Sequence, residues 1–241
     1  MNIRAFFYGV GLQMRLDIRS RTLLVTCYLV PLLFFALMGG IFTSLMPETK
    51  ATLTQAMTVM GVSMGALIGV PPSLAEVYGT DIKKAYRANG APLWFGAATV
   101  FLSAFFHLFV MSCILLVLSP VLFDAAVPQN LPAYFLSLAV FLLASLSLGT
   151  AVGLSVGNQA KLTMISQIFF LPSILLSGIL FPISYLPKAL EILGWLFPAS
   201  WGYKLMLDGG LRLSSFLPLC ALFAAACAVC ILRLHRLKAE S

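Results

Sequence analysis

Very few side chains in this sequence are of a type and spacing that could do chemistry. His107 stands near the middle of a run with no Asp, Glu, Lys or Arg between Arg87 and Asp124. An ionisable group at such a depth marks a functional site by default; here that means an ion-driven carrier or a membrane enzyme built on His107. The competing reading is a neutral imidazole hydrogen-bonded to a neighbouring helix, although the sequence shows no obvious partner for it. Cys227 and Cys230 form C-x-x-C upstream of His235, a spacing that suits a metal or redox pair. Both fall in an apolar helix with no second cysteine pair and no acidic partner nearby. Small buried hydrophobes account for them better, as they do for Cys27, Cys113 and Cys220, and no metal, cofactor or catalytic residue is expected in this chain.

The missing motifs narrow the chemistry further. There is no G-x-x-x-x-G-K-[ST] phosphate loop, H-E-x-x-H or G-x-S-x-G. Paired carboxylates within the apolar runs are absent too, which weighs against an intramembrane hydrolase or an ion-driven carrier. If the protein uses ATP, another chain must bind it.

The elements that position these residues follow from composition. Of 241 residues, 61% are hydrophobic and only 10% charged, with a mean hydropathy of +1.00, whereas soluble domains carry about 25% charged residues. Six stretches free of charge are each long enough for the roughly 20 residues a helix needs to cross the hydrocarbon. The expected fold is all-α and polytopic, with spans at residues 22–46, 53–75, 94–118, 133–156, 162–181 and 214–232. With the N-terminus inside, eleven of the 15 Lys and Arg residues fall on inner segments, which places both termini in the cytoplasm. The net charge of +7 thereby reflects topology rather than a nucleic-acid surface. The first apolar run is too long for a signal peptide and no A-x-A-like site follows it, so it reads as a retained anchor.

Three polar exceptions break the apolar pattern. Residues 1–21 read as an amphipathic interfacial helix, with Ile3, Phe6, Phe7, Val10 and Met14 on one face and Arg4, Gly11, Arg15 and Arg19 on another. Residues 76–92, EVYGTDIKKAYRANGAP, form the most polar inner segment, a short amphipathic helix with Thr80 as its cap and Gly90 and Pro92 as its stop. A plain solvated loop is the bland alternative. Residues 182–205 are too polar and too broken by Pro187 and Pro198 to span, and read as short helices dipping into the outer leaflet with Trp195, Trp201 and Tyr203 at headgroup level.

Within the spans, Gly61, Gly65 and Gly69 form one small-residue face and Gly149, Gly153 and Gly157 a second, both suited to close helix packing. Met57, Met60 and Met64 make a stripe that suits either ordinary packing or an adaptable binding surface. Pro172 removes a backbone donor and kinks the fifth expected span.

Taken together, the pattern resembles the permease subunit of an ABC-2 type ATP-binding-cassette transporter. The likeness rests on the basic interfacial helix before six spans, on E-x-x-G-T-…-R-…-P across 76–92, and on the segment LSGILFPISYLPKALEILGWLFPASWGYKLM. It covers nearly the whole chain, although Val77 and Tyr78 stand where the family usually has acidic residues. The resemblance implies an exporter subunit of the cytoplasmic membrane. Glu76, Gly79, Thr80, Lys83, Lys84 and Arg87 would couple to the ATPase, and Arg15, Arg19 and Arg21 of the interfacial helix would face it or Glu76. It also implies two copies of a separate ABC ATPase carrying ATP and magnesium, and a second permease subunit that is either a copy or a relative. The substrate path would run near Met57, Met60, Met64, Phe169, Phe170 and Pro172, with an outer gate near Phe181. Nineteen Phe and ten Met favour a hydrophobic or amphipathic cargo, such as a drug, antibiotic, peptide or lipid. A polysaccharide or lipid-linked glycan is the alternative cargo, and a non-transporting scaffold the alternative role.

Overall fold

A computed structural model describes residues 3–79 and 90–239, without the side chains of residues 21, 22 and 239. The described residues are helical and contain no strand. In chain order the helices are α1 (Ile3–Arg19), α2 (Val25–Leu45, entered by the turn Arg21–Leu24), α3 (Leu53–Gly79) and α4 (Trp94–Phe123). They continue as α5 (Leu131–Ser155), α6 (Gln159–Leu175), α7 (Lys188–Gly194), α8 (Pro198–Leu207) and α9 (Leu213–Ala239). Five of them, α2, α3, α4, α5 and α9, are long and apolar enough to cross a membrane.

The span expected at 162–181 is α6, whose helix has 17 residues. At 1.5 Å per residue it reaches about 25 Å, short of a hydrocarbon core of about 30 Å. It also carries Gln159, Lys161 and Gln167, so length and composition alone do not mark it as a crossing.

Other helices run further than expected. Pro71 and Pro72 sit inside α3, which runs past the expected end at residue 75 to Gly79. Pro120 likewise sits inside α4, which continues to Phe123 and stops where Asp124 takes a left-handed conformation (φ 50°). Each proline removes one donor, while the apolar residues around it have no alternative to helix inside a bilayer. The α5 start is capped by Asn130, whose side chain accepts from the Ala133 N–H (3.1 Å).

α3 lies at the centre, buried along most of its length, with α5, α4, α2 and α6 packed around it. α5 packs against α3 on one side and α9 on the other. Glycine allows these approaches. A Cβ at Gly149 would overlap the Ala66 carbonyl, and one at Gly153 would press on Leu74 and Pro71, both on α3. On the other side of α3, Gly61 and Gly65 receive Met111 and Leu108 of α4, and Gly69 lies against Cys27 and Thr26 of α2. Gly157 has open space around it.

Two wide turns interrupt the regular helices. Val25–Leu29 of α2 and Gly65–Gly69 of α3 each close with an i→i+5 backbone bond, from Val30 N–H to Val25 and from Val70 N–H to Gly65. They pack against each other. Such turns occur frequently at functional sites.

Candidate functional site

The sites lie at the two ends of the bundle and along one internal seam. At the end carrying Gly79, Trp94 and Arg233, the last turn of α3 holds Glu76 and Gly79. Tyr78, from the same turn, donates its hydroxyl to the Leu93 carbonyl and accepts from the Ala97 N–H (3.0 Å), which ties the end of α3 to the start of α4. Thr80, Lys83, Lys84 and Arg87, expected beside Glu76, lie outside the described residues, as does the side chain of Arg21. Arg15 and Arg19 are exposed on α1.

α1 docks along α4 with a face that hydropathy does not single out. Phe6 packs on Trp94 and Phe95 (ring centroids 6.2 Å apart in each pair), and Gly9 makes room for the Phe95 ring. Further along that face comes Asp17, only 5% exposed. Its carboxylate accepts from Gln13 Nε2 (2.8 Å) and from Ser103 Oγ of α4. Ile3 and Phe7, on the same expected stripe as Phe6, are exposed. The spacing Phe6, Gly9, Gln13, Asp17 was the available signal. An acid at that register on a basic helix has to be explained by a partner, and Ser103 supplies it.

One helical turn beyond Ser103 on α4 stands His107, 4% exposed. Its Nδ1 shares a hydrogen bond with the Tyr28 hydroxyl of α2 (2.8 Å). Tyr28 is thus the partner the sequence did not reveal. It lies within the wide turn of α2. The other ring nitrogen, Nε2, is enclosed and has no partner among the described residues. Elsewhere on the seam, Thr58 of α3 bonds to Tyr134 of α5 (2.9 Å). Cys230 donates towards the Ser147 carbonyl (3.8 Å), joining α9 to α5. Among the described residues, no three His, Cys, Asp or Glu side chains are grouped to hold a metal ion.

The expected path residues separate. Met57, Met60 and Met64 are buried within the chain's own core. Their face of α3 meets the surrounding helices, where α4 brings Met111 and Leu108 onto Gly61 and Gly65. Phe170 is buried, while Phe169 and Pro172 are half-buried on α6. Cavities open elsewhere. One, of about 370 Å³, lies between α2, α3 and α6, with Thr26, Ser73, Glu76, Gln159, Ser166 and Gln167 in its lining. It adjoins the point where the two wide turns meet, since Thr26 and Gly69 both line it.

A second cavity, of about 530 Å³, occupies the opposite end, between the α2–α3 connection and α7–α8. Phe181 stands exposed at its edge. Lys204 rests over the rings of Trp195 and Trp201 (5.3 and 5.9 Å to the centroids), and those rings lie 4.5 Å apart. Burial pushes the Tyr203 phenol above its usual range, against the opposing pull of its hydrogen bond with Thr52. Gly202 seats α8 on Phe141 of α5, and Ser200 closes the α7–α8 corner through the Gly194 carbonyl (2.7 Å).

The family model described as ABC-2 type transporter matches residues 5–210, from α1 through the end of α8. No curated protein matches the chain.

Proposed function

Because the chain belongs to the ABC-2 type transporter family, we propose that it is the permease subunit of an ATP-driven exporter of amphipathic cargo. Membrane domains of this family carry transport without a nucleotide-binding site of their own and normally work with an ABC ATPase. In the proposed assembly two permease chains pack side by side above two ATPase subunits, in the cytoplasmic membrane, with both termini in the cytoplasm. α6 and the chain that follows it to about residue 181 complete a sixth crossing, and α7 and α8 dip into the outer leaflet. The observation that carries this reading is the family match, which runs through all three polar exceptions to the apolar pattern.

The mechanism needs no bond chemistry in this chain. ATP closing the partner subunits acts on the end of α3 and on α1. Tyr78 passes that movement to the start of α4, and Asp17 holds α1 to the same helix through Ser103. Cargo shifts the balance between inward and outward states only to the extent that it binds them differently. Purification of the tagged full-length chain tests the proposal directly. An ATPase subunit is expected to accompany it, and Glu76→Ala with Arg87→Ala is expected to abolish cargo-stimulated ATP hydrolysis while assembly persists. Full transport by that double variant sinks the coupling assignment. Loss of transport in His107→Ala with no ATPase partner present would favour the ion-driven alternative.

A further inference from the structure

The geometry points to the cavity at the α7–α8 end as a binding site for an organic ammonium ion. This deepens the exporter reading, on which it rests, by giving the amphipathic cargo a positively charged head. Three charged side chains line the cavity, Glu48, Glu191 and Lys204. Among the described residues, neither carboxylate has an ion-pair or hydrogen-bond partner for its side chain. The Lys204 ammonium is already engaged, over the rings of Trp195 and Trp201. Two unpaired acids against one occupied base leave the cavity negative, which repels an anionic head and attracts a cation.

The tryptophan pair supplies the second element of recognition. The faces of aromatic rings attract ammonium groups, and indole does so most strongly. The pair is fixed in place, because the Trp201 indole N–H donates to the Trp195 carbonyl (2.7 Å) and the rings meet at 41°. Trp195 lines the cavity one helical turn after Glu191, so an indole and a carboxylate stand side by side on its wall. Lys204 acts as a tethered stand-in for the ligand, since its ammonium already rests on this pair.

The rest of the wall suits the body of an amphiphile. Phe42, Leu53, Ala56, Ile179 and Ile183 present apolar surface to the same space. Its volume of about 530 Å³ lies within the roughly 300–1,000 Å³ of small-molecule sites. An incoming ammonium takes Glu191 and the Trp195 ring, and Lys204, exposed on α8, withdraws into solvent.

The test uses the full-length chain with its copurified partners in dodecyl maltoside, on a Trp94→Phe background. Trp195 and Trp201 are then the only tryptophans, so their fluorescence reports on the site. Three benzyl compounds differ in charge: benzyltrimethylammonium, its neutral isostere neopentylbenzene, and benzylsulfonate. The ammonium alone is expected to change the fluorescence saturably. Glu191→Gln is expected to weaken its binding about two- to fivefold, and Lys204→Met to tighten it by a similar factor. A gain on removing Lys204 cannot come from misfolding, and a purely structural lysine would not give one. Equal binding of the neutral probe, preference for the sulfonate, or weaker binding in Lys204→Met overturns the site. Displacement of the probe by phosphatidylethanolamine also overturns it, because the ligand would then be a lipid headgroup rather than cargo. If the ammonium fails to bind while an ATPase subunit still copurifies, only the site is lost. Binding with no ATPase partner would instead overturn the exporter reading, and with it the assignment of the ligand as cargo.

Discussion

Asp17 is the residue whose placement asks most of the surrounding structure. A buried carboxylate is tolerable only where donors meet it, and Gln13 and Ser103 do so. Asp17→Ala removes the acceptor and strands Ser103 Oγ, at a cost of about 1–3 kcal/mol. The expected sign is faster amide hydrogen exchange across residues 3–19 with little change in α5. Exchange rising equally throughout the bundle would show that Asp17 does not act through the α1–α4 contact. His107 makes a second, separable prediction. Tyr28→Phe and His107→Ala each break the same interhelical bond, so the double variant should fall short of the sum by about 0.6 kcal/mol, with about 1.7 as the upper range for such bonds in membranes. Strict additivity in unfolding measurements would mean that the bond contributes nothing.

At the scale of the element, the tightest packing is between α3 and α5. Gly149 faces the Ala66 carbonyl, a backbone atom that cannot swing aside. Gly149→Ala should therefore push the helices apart and cost at least about 1–3 kcal/mol, the usual penalty of overpacking. Gly157→Ala, which meets nothing, should be close to neutral. Equal melting temperatures for the two variants would remove the close approach as a source of stability. The glycine spacing that carries this prediction is visible in the sequence, as are the long apolar runs that become α2, α3, α4, α5 and α9, because hydrocarbon leaves the backbone few choices. α4 outruns its expected end at residue 118 through Pro120, since a proline in an apolar run costs less than ending the helix there. The face by which α1 docks on α4 was not anticipated, because Gln13 and Asp17 are polar and periodic apolarity passes over them. The cavity between α2, α3 and α6 was not legible at all. It arises where wide turns on two helices meet a polar stripe on a third, and no one segment carries that coincidence.

For the whole molecule, coupling and export direction both depend on which end faces the cytoplasm. The end that holds Glu76, Gly79 and the start of α4 also holds Arg233, Arg236 and Lys238, while the other end holds Lys188, Lys204 and the paired tryptophans. Basic residues are retained in the cytoplasm during insertion, which supports the proposal that the first end faces inside. An odd number of crossings after α1 would put the C-terminal basic cluster outside, so the status of α6 and the orientation stand or fall together. On a background with the five native cysteines replaced by alanine, Lys188→Cys is expected to react with a membrane-impermeant maleimide in intact spheroplasts. Lys238→Cys is expected to react only after the membrane is opened. Reaction of both in intact cells would mean that α9 does not carry the chain from one side of the membrane to the other, against its length and apolarity. The reverse pattern would place the α3–α4 connection away from any cytoplasmic ATPase and end the coupling assignment for Glu76. Of these outcomes, only the first allows ATP closing outside the bilayer to act on α1 and α3 at one face.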